Sequence, residues 1–278
     1  MWLIFEKQFW KDFLRQFQED DVTGMSAMLA YFFLLSLMPF MIFLLTLVGY
    51  MPLSQDQIFD MLNSYLPPDT MGMIRDNIDS LLENQNGGLL SLGILGTVWS
   101  ASVGVNGLMQ AFNNAYDIDE ERSFIVQRGI SIALTVLMIL VIAVAFVLPI
   151  FGQQIGEYIF SFAGVSEEFL AIWNSLRFVI SGLIIILVMT ILYILAPSKK
   201  IGLRHALPGA IVATVGWMLT SLGFSYYVSN FGNYSATYGS LGGVIVLMIW
   251  LYLSGMMILI GGEVNAILSK NKRRLLRK

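Results

Sequence analysis

No Asp, Glu, Lys or Arg occurs between Ala206 and Gly262, and Glu263 is the first charge after that run. A helical membrane crossing takes about 20 residues. The run is far too long for one crossing and fits two, joined by the polar but uncharged loop SNFGNYSATYGS. The chain therefore contains a membrane hairpin with one acid near its end. Apolar residues make up 56% of the sequence and charged residues only 13%, whereas soluble domains are about a quarter charged. The expected class is an all-α polytopic membrane protein.

The same composition narrows the chemistry. There is no cysteine, so disulfides and thiolate sites are excluded, and with His205 as the single histidine a zinc site would rest almost wholly on carboxylates. The first residues alternate charge with aromatics and lack the apolar core of a cleavable signal peptide. No GxSxG, HExxH or Walker sequence is present, and no close pair of intramembrane carboxylates is visible. The expectation is no catalytic site, no metal, no cofactor and no nucleic-acid partner.

Residues 1–22 place Trp2, Phe5, Phe9, Trp10, Phe13 and Phe17 at helical spacing, with Lys7, Lys11 and Arg15 in a separate stripe. This reads as an amphipathic helix, either lying on anionic headgroups or packed on the ends of the spans. The membrane domain, residues 23–269, divides into six spans at about 26–50, 89–112, 129–151, 178–196, 206–228 and 239–268. Pro39 interrupts the first span, where a proline bends a helix by removing an amide donor. Residues 51–88 are acidic, with two short amphipathic patterns around Pro67 and Pro68, and are expected to form a helical cap over the outer face. Gly93, Gly96, Ser100, Gly104 and Gly107 make a small-residue stripe for close helix contact on the second span. Residues 270–278 form a basic tail suited to anionic headgroups.

A cytoplasmic N-terminus places all but Arg75 and Arg177 of the sixteen bases inside. That is a positive-inside pattern, and six spans return the C-terminus to the same side. The location read from this is a bacterial cytoplasmic membrane, multi-pass, with both termini cytoplasmic. Self-association is left open.

Several residues are candidates for a substrate path or a helix clamp. Glu263 lies seven residues before Lys270, about 10 Å along a helix, hence just inside the cytoplasmic interface. It is either a structural acid tied to a partner such as Arg122, Arg128 or Asn113, or a group that handles substrate or protons. Asn106, Gln110, Asn113 and Asn114 put amides along the end of the second span, where they need protein or water partners. At the outer edge Arg177 either snorkels to water or meets an anionic headgroup. Tyr234, Tyr238 and Gly239 form either an interfacial aromatic belt or a flexible gate.

The segments SAMLAYFFLLSLMPF, VWSASVGVNGLMQAFNNAYDIDEER, HALPGAIVATVGW and YSATYGSLGGVIVLMIWLYLSGMMILIGGEVNA together resemble the YihY or BrkB family of bacterial inner-membrane proteins, in order and over nearly the whole chain. The resemblance implies about six spans. It also implies that an older ribonuclease label is a misassignment, and that the role lies among serum resistance, export of small molecules and handling of lipid-linked envelope precursors. Its motifs fall on Tyr31, Ser36 and Pro39, on Trp99, Ser100, Asn113 and Tyr116, on Pro208 and Gly209, and on Tyr238, Gly239, Trp250, Gly262, Glu263 and Asn265. Ser198 stands where the family often has asparagine. The expected function is a transporter, exporter or lipid translocator; the alternatives are a membrane scaffold or envelope-stress partner, and a ribonuclease.

Overall fold

The computed structural model describes residues 7–48, 87–139, 167–199, 201–231 and 241–276. These residues form seven helices and no strand: α1 (Lys7–Glu19), α2 (Val22–Val48), α3 (Gly87–Ala115), α4 (Phe124–Ile139), α5 (Glu167–Leu195), α6 (Leu203–Phe231) and α7 (Gly242–Leu276). Four segments are long and apolar enough to cross a membrane: Val22–Phe43 in α2, Gly87–Ala115 in α3, Leu203–Asn230 in α6 and Gly242–Lys270 in α7. Phe124–Ile139 and Val179–Leu195 are shorter apolar helices. The described residues of the charge-free run thus fall in two helices long and apolar enough to span, α6 and α7, apart from Leu241 just before α7. The expected cap up to residue 86, the end of the third expected span, and Tyr234, Tyr238 and Gly239 lie outside the described residues. Gly87 and Gly88, assigned to the cap from sequence, instead begin α3.

The expected single segment 1–22 ends at a sharp break. Asp21 adopts a left-handed conformation (φ 44°), which aspartate tolerates better than most residues. Its Oδ1 accepts the Gly24 amide at 3.1 Å and the Thr23 hydroxyl at 3.3 Å, so Asp21 caps α2 as it ends the turn from α1. At the far end of α3, Asp117 is also left-handed (φ 52°). The Ile118 amide donates to the Asn113 carbonyl and the Asp117 amide to the Asn114 carbonyl, each at 2.9 Å. This is a Schellman C-cap with aspartate where glycine is usual.

The chain clusters into two compact units, one made of the residues up to Phe32 and from Ser102 onward, the other of Phe33–Ala101. In the smaller unit α2 and α3 run antiparallel and close together. A Cβ at Gly93 would sit 2.7 Å from the Phe43 backbone nitrogen, and one at Gly96 would sit 2.9 Å from Pro39. Gly93 and Gly96 of the small-residue stripe thus lie against α2 at Phe43 and Pro39.

In the larger unit α7 is the central helix. Gly261 lies against the Gly209 carbonyl and the Tyr193 hydroxyl, Gly262 against the Phe112 ring, and Gly255 against Leu29. Gly261 thus admits α6 with α5 on one side of the helix, while Gly255 and Gly262, seven residues apart on a shared face, admit α2 and α3, the close approach that small residues permit in lipid. Two tryptophans cross-link the hairpin. Trp217 Nε1 of α6 donates to Ser254 of α7 at 3.0 Å, and Trp250 Nε1 of α7 donates to Ser221 of α6 at 3.3 Å. Hydroxyls inside the helices bond back to their own backbone, as Thr135 does to Ser131 and Thr214 to Ala210, which satisfies those donors without water.

Candidate functional site

The helices converge on a buried polar knot at the end of α7. Glu263 is only 3% exposed, and its Oε2 has no hydrogen-bond partner. Its neighbours come from three places. The α1–α2 turn brings Asp20, whose negative charge acts on Glu263. The α3 cap brings Tyr116, whose hydroxyl is also buried without a partner, and Asp117. From α7 itself comes Lys270, whose Nζ pairs with Asp117 Oδ2 at 2.6 Å. The Gln16 Oε1, one turn before Asp20, is a third buried acceptor without a donor. Unpartnered buried polar atoms are rare and each calls for an explanation.

Burial raises the Asp20 pKa above its ordinary value; Lys270 opposes this, while the negative charges of Asp117 and Glu19 add to it. The Tyr116 hydroxyl is likewise pushed up, first by burial and then by the charge on Glu263. Both shifts follow from desolvation, which disfavours the charged form. The knot can therefore bind or exchange a proton, or accept a donor from something that enters it.

Asn265 makes a second, separate device. Its Nδ2 donates to the Ala206 carbonyl at 2.9 Å and its Oδ1 accepts the Gly209 amide at 2.7 Å. One fully buried side chain thus grips α6 on both sides of Pro208. Proline removes a donor from the first turns of α6, and the asparagine holds the backbone there against α7.

Asn113 and Arg122 were expected as partners of Glu263, and the structure gives them another task. Asn113 donates to Glu120 at 2.9 Å and accepts the Ser198 amide at 2.8 Å. The Arg122 guanidinium donates to the Ala196 and Leu195 carbonyls at 3.0 and 3.2 Å, and also to the Pro197 carbonyl. Arg122 therefore caps α5, where free carbonyls and the helix dipole both favour a cation. Asn113 in the last turn of α3 and Arg122 on the loop that follows are both engaged at the end of α5 and not at α7. Ser198 is held at both its amide and its hydroxyl, the latter donating to the Asp119 carbonyl at 2.9 Å.

The remaining candidates are scattered. Gln110 is exposed and Asn106 half-buried on α3. Tyr31 is 58% exposed with its ring against Phe32. Ser36 bonds back to Phe33, Pro39 packs at Gly96, and Trp99 is 62% exposed, all three in the smaller unit. Arg177 lies in α5 two residues before its apolar stretch; its side chain is outside the described set. Sequence reasoning missed Asp20, Asp117 and the Lys270 ion pair. The available signal was the acidic pair Asp20–Asp21, placed where the amphipathic pattern gives way to a span.

At the other end of the hairpin, α6 and α7 frame a groove of about 370 Å³ lined by Ser221, Ser225 and Ser229 on one side and Gly243, Leu247 and Trp250 on the other. Trp250 precedes Glu263 by about 20 Å along α7 at 1.5 Å per residue, so the groove and the acid occupy different levels of the same helix pair.

Long apolar helices, a glycine-packed core and an acid buried between them define an α-helical multi-pass membrane protein. The family model for the virulence factor BrkB matches residues 13–278, and the chain belongs to that family. Among its relatives, the ribonuclease-like protein YfkH of Bacillus subtilis is 49% identical over 95% of this chain and 96% of its own length. A UPF0761 membrane protein of Alteromonas mediterranea is 26% identical over 93% of this chain and 86% of its own. A UPF0761 membrane protein of Xanthomonas campestris is 25% identical over 92% of this chain but only 59% of its own, longer sequence. No solved structure matches.

Proposed function

We propose that the protein moves a small molecule or lipid across the bacterial cytoplasmic membrane as a six-span translocator with both termini in the cytoplasm. The observation that carries this reading is Glu263, a carboxyl buried inside a spanning helix with an unpartnered oxygen. Ionisable groups at such positions are costly and concentrate on substrate and ion pathways. The serine-lined groove on the same helix pair supports the reading, since it offers hydroxyls to a polar group from the lipid side.

The test is translocation of an NBD-labelled anionic phospholipid in liposomes, compared with efflux of a pH-gradient-driven dye. Flux that Glu263→Gln abolishes, in protein that still elutes as a single species, supports the role of the acid. Normal flux in that variant removes it.

A scaffold is the second reading, and α1 favours it. Phe9 is buried against Val264 and Ile267 of α7 with Phe13 beside it, while Trp10 and Leu14 are 53% and 62% exposed. Lys7, Lys11 and Arg15 are exposed as well. Such a face suits anionic headgroups or a docking partner. On that reading the protein shows no flux, and deleting α1 abolishes capture of the partner. The ribonuclease wording belongs to one relative's name, and among the described residues no group of three or more His, Cys, Asp or Glu is arranged to hold a metal.

A further inference from the structure

We infer that α1 is an interfacial anchor: one face packs on the spanning helices, and the opposite face binds anionic phospholipid of the leaflet at the Lys270 end of α7. The sequence offered the two as alternatives; a single helix does both when its faces differ. The inference holds whether or not the protein translocates anything, and it gives the exposed face of α1 to lipid and not to a docking protein.

The faces follow from the register. At about 100° per residue, Phe9, Asp12 and Gln16 lie on one side of α1, and these three are its buried residues. Trp10, Leu14, Lys7, Lys11 and Arg15 fall on the opposite arc, and all five are exposed. Trp10 and Leu14 form its apolar edge, and the half-buried Phe13 and Phe17 continue the row toward the protein. The three bases form the other edge. No acid stands among them, since Asp12 is buried and Glu19 lies past Arg15 at the end of the helix. Arg15 leans on Asp12 and Glu19 at 3.3 and 3.8 Å, whereas Lys7 and Lys11 have no ion pair among the described residues.

The packing puts that arc at the level of lipid. Phe9 is buried against Val264 and Ile267, with Val212 and Leu268 packed on the same cluster. All four partners belong to stretches long and apolar enough to span, Leu203–Asn230 and Gly242–Lys270, so α1 rests on the flank of the bundle. It also slants across it. The Ser26 carbonyl oxygen of α2 lies 3.6 Å from where a Cβ at Gly255 of α7 would stand. At 1.5 Å per residue, the turn at Asp21 lies about 8 Å beyond that level, and Phe9 meets α7 about 16 Å beyond it. Over about 17 Å of helix, α1 therefore advances only about 8 Å along α7. A helix so placed presents its free arc to headgroups and upper acyl chains, where Trp and Leu bury their apolar bodies and lysines reach phosphate.

Charge selects the lipid. A neutral bilayer satisfies the apolar edge alone, while the unpaired Lys7 and Lys11 call for an anionic surface, which favours each nearby base by about five-fold. An acidic soluble partner would answer the bases, but it would have to take Trp10 and Leu14 from the bilayer that surrounds the same helices.

The chain has no cysteine, so a single one can be spin-labelled in the full-length protein. In nanodiscs containing phosphatidylglycerol, a label at Leu14→Cys is expected to collide more with oxygen than with a water-soluble nickel chelate, and a label at Glu121→Cys on the exposed loop should show the reverse. Aqueous behaviour at Leu14→Cys would overturn the proposal and leave the face to a soluble protein. Phosphatidylglycerol is then titrated into the Leu14→Cys protein in neutral detergent, with phosphatidylcholine in parallel. Half-saturation with phosphatidylglycerol should rise about 25-fold when Lys7→Gln and Lys11→Gln are combined, two bases at about five-fold each. It should stay unchanged when Lys199→Gln and Arg204→Gln are combined, which removes as much exposed charge elsewhere. Equal shifts in the two pairs, or an equal response to phosphatidylcholine, would overturn the proposal. Neither measurement needs a transported substrate, so absence of flux with both results intact would sink the translocator alone.

Discussion

The side chain of Asn265 accepts the Gly209 amide at 2.7 Å while donating to the Ala206 carbonyl one turn earlier. A helix of the charge-free hairpin is thus fastened to its partner through backbone groups flanking Pro208. Interhelical hydrogen bonds of this kind in membranes are individually modest, but here truncation would leave a buried amide without its acceptor. Asn265→Ala is expected to destabilise by ~1–3 kcal/mol, read as a lower midpoint of thermal unfolding in detergent. Asn265→Asp should destabilise at least as much, because an ionised carboxyl there is a buried charge whose second oxygen faces the Ala206 carbonyl. A midpoint in Asn265→Ala equal to wild type would refute the clamp.

Gly209 and Gly261 should tolerate no side chain. A Cβ at Gly209 would overlap the Gly261 carbonyl and the Asn265 amide, whereas one at Gly129 on α4 would meet nothing. Gly209→Ala is expected to cost ~1–3 kcal/mol by forcing the helices apart, and Gly129→Ala to gain up to about 1 kcal/mol from helix propensity. The two variants, measured in the same detergent, should move in opposite directions.

Arg122 closes the end of α5 on three carbonyls. Arg122→Lys preserves the charge without the planar fork. Hydrogen exchange at Ala196 and Ser198 should accelerate in Arg122→Ala and partly in Arg122→Lys, with the end of α3 following because Asn113 holds the Ser198 amide. Unchanged protection in both variants would remove the cap.

Stability should depend on pH through Asp20. Its pKa is raised in the folded protein, so the folded state binds more protons than the unfolded chain in the window between the ordinary carboxylate value and the raised one. Its contribution is present below that window and is lost as pH rises through it. Thermal midpoints should therefore decline upward from the ordinary carboxylate range, and Asp20→Asn should flatten that decline. A wild-type profile that rises across the same window would contradict the assignment.

The two faces of α1 should separate packing from lipid binding. Phe9 is buried against α7, so Phe9→Ala is expected to cost ~3–5 kcal/mol. Trp10 is 53% exposed, so Trp10→Ala should leave the midpoint nearly unchanged and instead reduce the stabilisation that anionic lipid confers on the wild type. Equal losses in the two variants would show that the helix has no free face.

Composition and charge placement made the class legible, because lipid excludes unpaired charge so strictly that a long uncharged run can only be a pair of spans. Glu263 and Asn265 were visible for the same reason, as polar groups where polarity is costly. The asparagine's job was not visible, since it depends on α6 crossing α7 at Gly209 and Gly261. Six spans, the cap and the outer tyrosines remain expectations from the pattern of the sequence.

Determined by the sequence alone are the membrane class, the α6–α7 hairpin and the presence of one acid within it. Which group faces that acid was decided only by the tertiary structure. Asn113 and Arg122 had the right chemistry, but the left-handed cap at Asp117 turns the chain so that Arg122 reaches the end of α5, where Asn113 holds Ser198. The left-handed break at Asp21 instead brings Asp20, whose negative charge acts on Glu263. Hydrophobic periodicity records which side of a helix is apolar; it does not record the two backbone turns that bring one carboxyl to another across the whole length of the chain.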